Sequence, residues 1–226
     1  MISLTLAALL FIGIHIGVSG TRTRDTLVGA ISLNGYMIAF SVASVAAMVW
    51  LVMSYNTAAY VPLWDAPNWW KYVSIVLMLP AFLLVVIGLT TPNPTAVAQE
   101  GLVAQAPRGI VRITRHPFLV GVGIWAVTHL VSNGNVASLL FFAALAVVSF
   151  AGTVSIDAKR RRVLGDRAWD AFAQRTSIVP FAAILAGRNT FSLGELGWWR
   201  PLAGLAAYAV FLGGHAHLIG VSPWPH

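Results

Sequence analysis

The sequence predicts an all-α integral membrane protein, a bundle of about six transmembrane helices with a short interfacial helix before the last span. Three observations predict it. Hydrophobic residues make up 58% of the 226 residues and charged residues only 9%, where a soluble domain carries about 25% charged residues. Apolar runs recur along the chain, each close to the length that crosses a hydrocarbon core about 30 Å thick. The cations collect in alternate connections: Arg22 and Arg24, then Arg108, Arg112 and Arg115, then eight more from Lys159 to Arg200, with Lys71 alone on the other side. This bias puts the basic connections in the cytoplasm and both termini on the opposite side.

The first span runs from about Ile2 to Ser19. It lacks a basic leading segment and an A-x-A cleavage site, so a retained helix is expected rather than a signal peptide. The second is Gly35–Ser54 and the third Val73–Thr90. The fourth, Pro117–Val131, opens on a proline, whose missing N–H costs nothing in the first helical turn. Ser132-Asn133-Gly134-Asn135 then turns the chain into the fifth span, Val136–Val154, as an antiparallel hairpin. A polar stretch, Asp157–Arg188, carries Trp169 and Phe172 on one side and predicts a helix over about 159–175 lying at the interface. Pro201–Gly220 is the sixth span. Trp64, Trp69, Trp70, Trp198, Trp199 and Trp224 fit aromatic belts at the membrane surfaces. Residues 1–226 read as a single transmembrane domain without internal repeats.

Composition excludes several functions. There is no cysteine, hence no disulfide, thiolate ligand, iron–sulfur cluster or cysteine nucleophile. The net charge of +7 is a topology signal, so no nucleic-acid partner is expected. The seven carboxylates, Asp25, Asp65, Glu100, Asp157, Asp166, Asp170 and Glu195, are assigned to connections, which disfavours an ion-coupled transporter needing an acidic relay. No G-x-S-x-G elbow points to a serine hydrolase.

Histidine is the ionisable group left at depth, in His15 and His129. Imidazoles inside hydrocarbon either hydrogen-bond across a helix interface or ligate a buried group, and two of them suit the axial positions of a haem. His129 has Val122, Trp125 and Ala126 on its side of the helix, with Gly121 at the edge. Gly13 and Gly17 lie roughly opposite His15 and read as a G-x-x-x-G packing seam. His215 and His217 point about 200° apart, so only one of them can line the bundle. Arg112, Arg115 and His116 stand where they could anchor haem propionates or shape the cytoplasmic mouth, although topology alone explains the arginines. Rise per residue puts His15 about 10 Å from Arg22 and His129 about 21 Å from Arg115, an offset in depth of about 10 Å. His129 could therefore pair instead with His215 or His217.

The same residues carry a family resemblance. His15-Ile16-Gly17-Val18-Ser19, Val61-Pro62-Leu63-Trp64-Asp65-Ala66-Pro67, Arg112-Ile113-Thr114-Arg115-His116-Pro117, and Ile124-Trp125-Ala126-Val127-Thr128-His129-Leu130 with Asn133-Gly134-Asn135 resemble the NnrU membrane family, which includes the 15-cis-zeta-carotene isomerases. The likeness covers roughly residues 1–155 and is less diagnostic over 156–226. It implies a haem b protein of the bacterial inner membrane with His15 and His129 as axial ligands. It implies cis–trans isomerisation of a hydrophobic polyene drawn from the bilayer, with membrane lipids around the protein and a redox partner to reduce the iron. Other members of the family are associated with nitrite and nitric oxide metabolism, so an accessory haem protein of denitrification is the alternative. The isomerases carry a cysteine where Ala126 stands. A second likeness, over Gly109–Pro117, Val163–Phe172 and Val179-Pro180-Phe181, is to membrane methyltransferases that use S-adenosylmethionine. It departs from them at Phe118 and at Ile156-Asp157-Ala158.

Overall fold

The computed structural model describes residues 1–225, and the architecture is wholly helical among them. Helix α1 (Ile2–Ile12) continues as a π-helical turn over Gly13–Val18. Helices α2 (Arg22–Asn56) and α3 (Trp69–Thr90) follow, then a short α4 (Ile110–Ile113). The hairpin α5 (Pro117–Ser132) and α6 (Val136–Leu164) comes next, then α7 (Asp166–Ala173), α8 (Ala182–Leu185) and α9 (Trp199–Ile219). Single 3-10 turns cover Glu100–Ala104 and Leu193–Leu196.

Four helices are long and apolar enough to cross a membrane: α2, α3, α6 and α9. Two shorter apolar helices, Ile2–Val18 and Pro117–Ser132, accompany them, so six apolar helices are present and four have full spanning length. Each sequence span falls on one of these helices, but two helices extend well past it. α2 starts at Arg22, where Thr21 caps it by accepting from the Thr23 N–H, but Ser32, at φ 68°, breaks it, and its second segment starts at Leu33, close to the expected Gly35. α6 runs on to Leu164, and Gly165, at φ 83°, ends it and opens α7.

Packing divides the core into two clusters. At the end away from the arginines, Leu4, Ala7 and Phe11 of α1 meet Ala47 and Leu51 of α2, Ala126 of α5, and Phe141, Phe142 and Leu145 of α6. At the arginine-rich end, Leu84 and Ile87 of α3 meet Ile110, Val111 and Ile113 of α4 and Val120 of α5, with Trp169 and Phe172 of α7. Trp169 and Phe172 are each 1% exposed. The amphipathic helix therefore spends its apolar side on protein rather than on lipid, while its polar side pairs Arg161 with Asp170 at 2.5 Å.

α6 packs against both α1 and α5, and α3 packs against both α5 and α9. Glycines set the close α3–α5 approach: a Cβ on Gly88 would lie 2.9 Å from the Phe118 nitrogen, and one on Gly121 2.7 Å from the Ala81 carbonyl oxygen. Gly13 and Gly17 behave otherwise. A Cβ on either would meet nothing within 4 Å, so the expected G-x-x-x-G seam packs against no helix. The Val61–Trp64 segment is clamped onto the α5–α6 turn by Leu63 N and Trp64 N donating to Gly134 O (2.8 and 3.0 Å) and Val136 N donating to Val61 O (2.9 Å).

Candidate functional site

Three histidines in the apolar part of the bundle share one arrangement. His129 Nδ1 lies 2.9 Å from the Trp125 carbonyl, His15 Nδ1 2.8 Å from the Phe11 carbonyl, and His215 Nδ1 2.7 Å from the Val221 carbonyl. A carbonyl only accepts, so Nδ1 carries the proton in each ring and Nε2 keeps its lone pair. No described residue hydrogen-bonds to any of the three Nε2 atoms. An imidazole oriented through Nδ1 and open at Nε2 is prepared as a metal or haem-iron ligand.

Their surroundings differ. His129 lies against Trp125 (ring centroids 4.8 Å) and Phe142 (5.3 Å), with His215 at 6.4 Å and 24° between the ring planes. His15 lies against Phe11 (4.3 Å) and Phe40 (5.4 Å). Its depth follows from α6: Ile12 and Val147 line one groove, and Gly20 abuts Ser155, so His15 falls near the level of Phe150. The Phe150 ring in turn abuts Gly123 of α5. The six residues from Gly123 to His129 rise about 9 Å. The structure thus brings His129 and His215 together, and sets His15 at another depth with other neighbours.

The second place is the arginine-rich end of α5 and α6. Arg115 grips Asp157 with two nitrogens, Nε lying 2.9 Å from Oδ2 and 3.1 Å from Oδ1, with NH2 closing the fork. His116 Nε2–H donates to the same carboxylate at 2.7 Å. His116 is 2% exposed and its Nδ1 is buried without a partner. Burial pulls the His116 imidazole below its ordinary range, against the opposing pull of Asp157. Asn93 Nδ2 and Thr95 Oγ1 both donate to the Arg115 carbonyl at 2.9 Å, and buried Arg160 pairs with Glu100. Arg112 is held separately. Its Nε and NH2 donate to Glu195 at 2.6 and 2.9 Å, and its NH1 to Asn189 at 2.7 Å. The hydrogen bond from Arg112, supported by the Gly109 N–H, holds the Glu195 carboxyl down at about 2.

The NnrU protein family matches residues 3–223, nearly the whole chain. The chain belongs to the NnrU family. Over 81 residues this NnrU-family protein is 37% identical to the chloroplastic 15-cis-zeta-carotene isomerase of Zea mays and 35% identical to that of Arabidopsis thaliana. Each match covers 36% of this chain and 22% of the relative, so the likeness takes in about a fifth of the isomerases' length. No solved structure matches the chain.

The histidines of this NnrU-family protein fit axial ligation of haem by the chemistry of their donors. A group held by two imidazoles needs no larger cluster, and none of three or more His, Cys, Asp or Glu suited to a metal ion occurs among the described residues. Arg112 and Arg115, expected to anchor propionates, each pair with a carboxylate of the chain, Glu195 and Asp157. His116 is turned into the same ion cluster. The sequence reading assigned Asp157 to a connection. It lies instead on α6, 15% exposed along its side chain, between two cations. His217 is exposed, and His226 lies outside the described residues.

Proposed function

We propose that this NnrU-family protein is a haem b-dependent membrane isomerase acting on a double bond of a hydrophobic polyene. One observation carries the reading. His129 is fixed through Nδ1 and open at Nε2, in an apolar setting of Trp125 and Phe142, on a chain that resembles two carotene isomerases over 81 residues. When bound, haem supplies the redox-active iron on which the double-bond rearrangement depends. His129 would hold it from one side. His15, which the family resemblance implies, and His215, the ring nearest His129, are the candidates for the other side. The residues themselves orient and exclude water: Trp125 and Phe142 wall the site with aromatic surface, and the Trp125 and Phe11 carbonyls keep the His129 and His15 rings in one tautomer. The polyene enters laterally from lipid, a redox partner supplies electrons, and the protein sits in the bacterial inner membrane with both termini periplasmic.

Ala126 favours a second reading. It is 0% exposed, and without a cysteine at that position the histidines alone are available to the iron in either redox state. A non-catalytic haem protein accessory to nitrite and nitric oxide metabolism would use such constant ligation.

Visible spectra of detergent-purified protein from haem-supplied cells, oxidised and dithionite-reduced, test the proposal. The wild type should show a Soret band with sharp reduced α and β bands, and His129→Ala should lose or shift them. Whichever of His15→Ala and His215→Ala also does so identifies the opposite ligand. A wild type without a Soret band ends the haem reading. A haem-loaded protein that fails to convert a 15-cis polyene in a producing strain leaves the accessory reading.

A further inference from the structure

A cavity of about 310 Å³ opens at the arginine-rich end, well away from His15, His129 and His215. It lies between the end of α3 at Thr91 and the start of α9 at Arg200, with Arg108 on a third side. Leu102, Val111 and Phe172 give it apolar walls, and Val111 and Phe172 are buried to 2% and 1% exposure, which fixes those walls in the core. This size and mixture suit a small ligand with a polar head and an apolar flank.

Charge decides the class of ligand. The Arg108 side chain makes no hydrogen bond or close ion pair among the described residues, and its charge acts on Glu195 only from a distance. Arg200 is held in place by donating from Nε to Thr90 O (3.2 Å) and from NH1 to Leu196 O (3.2 Å), with its guanidinium over the Trp199 ring at 5.0 Å. Those bonds satisfy donors and leave the positive charge uncompensated. Glu195 also lines the cavity, but its carboxylate is taken by Arg112 and by the Gly109 N–H at 2.8 Å. Three guanidiniums therefore share one carboxylate. An arginine whose guanidinium makes no hydrogen bond, beside a second one fixed by backbone carbonyls, makes a receptor for a tetrahedral anion, which guanidinium binds with directional hydrogen bonds. Topology explains why arginines are at this end. It does not explain a cavity between them.

We propose that this cavity binds a phosphate group carried on a short organic stem, with Arg108 and Arg200 as its ligands. The phosphate belongs either to a lipid headgroup or to a soluble phosphate ester. Exposed Trp198 and Trp199 beside the mouth set it at the depth of a membrane surface, where both sources are present. The site involves none of the histidines, so it stands whether or not the protein holds haem.

The test has two arms. In phosphatidylcholine nanodiscs, glycerol 3-phosphate is titrated by calorimetry, with the difference in tryptophan fluorescence between wild type and Trp199→Phe as a second readout. In nanodiscs containing phosphatidic acid, native mass spectrometry counts retained lipid. Saturable binding in one arm, weakened at least tenfold in both Arg108→Gln and Arg200→Gln but not in Arg167→Gln on the exposed side of α7, supports the site, and the arm names the source. Leu102→Trp fills the cavity while keeping every charge and should also abolish binding, which covers the case in which Arg200→Gln does not fold. Binding absent from both arms, or lost equally in Arg167→Gln, overturns the proposal.

Discussion

Asp157 is the residue on which the basic end of the bundle turns. It holds both nitrogens of the Arg115 fork and the ring of His116. Asp157→Asn removes the charge and leaves Arg115 partly buried without a counter-ion, which should cost about 3 kcal/mol. Thermal unfolding in detergent should show the loss, and a variant as stable as wild type would mean that Arg115 finds another acceptor. His116 sets a pH dependence. Its folded-state pKa is lowered by burial, so below about 6.5 the unfolded chain takes up a proton that the folded chain refuses. Stability should fall as pH drops from 7.5 to 5.5, by at most about 1.4 kcal/mol per pH unit from this group, and His116→Gln should flatten that part of the curve. Glu195, held near 2, adds a second loss lower down, as pH falls from its ordinary value near 4.5. Much of this was within reach of the sequence. Once α5 and α6 are read as a hairpin about Asn133-Gly134-Asn135, residues near 152 fall opposite His116, and Asp157 is the first acid beyond them, little more than one turn on. The run Lys159–Arg162 hid it, because a basic run reads as a loop after the span, whereas α6 carries that run as helix.

At the scale of the helix, small residues make opposite predictions according to what faces them. Gly121→Ala would press a methyl onto the Ala81 carbonyl and should cost about 1–3 kcal/mol, as overpacking does. Gly17→Ala meets nothing and should be neutral or slightly stabilising, because alanine is the better helix former. Measured melting temperatures that moved together would refute this assignment of packed and open faces. Spacing alone suggested the reverse, since G-x-x-x-G is the pattern associated with helix contact, while Gly88 and Gly121 belong to no such pair. Side-chain spacing marks which residues share a face, but not which face acquires a neighbour. The hairpin, the α5 start at Pro117 and the shared side of Trp169 and Phe172 on α7 were legible, because turn chemistry and amphipathic period act locally, but that side was expected at the membrane surface and is instead covered by α3 and α4. That His215 rather than His217 lies beside His129 depends on α9 packing against α3, which no local pattern encodes.

At the scale of the whole molecule, the absence of cysteine makes orientation directly measurable. Single-cysteine variants Arg167→Cys and Ser222→Cys sit at opposite ends of the bundle. An impermeant maleimide added to intact spheroplasts should label Ser222→Cys and spare Arg167→Cys until the cells are opened. The opposite pattern would reverse the proposed topology. The charge bias is what makes this orientation the one to expect. The sequence also marked α5 as short, between Pro117 and the Asn133–Asn135 turn, but not that α1 gives way to the π turn of Gly13–Val18.

The break in α2 has a consequence for how the protein meets membranes of different thickness. Thirty-five residues of helix would be about 52 Å long if straight, against a hydrocarbon core of about 30 Å. Ser32, at φ 68° and ψ 165°, divides it into an arm from Arg22 to Ile31 and a rod from Leu33 to Asn56. A bilayer that thins or swells can then be accommodated by the angle of that elbow, while the rod keeps Ala47 and Leu51 in the core. The rod from Leu33 to Asn56, about 36 Å by the same rise, then spans the hydrocarbon core by itself and leaves the arm to lie along its surface.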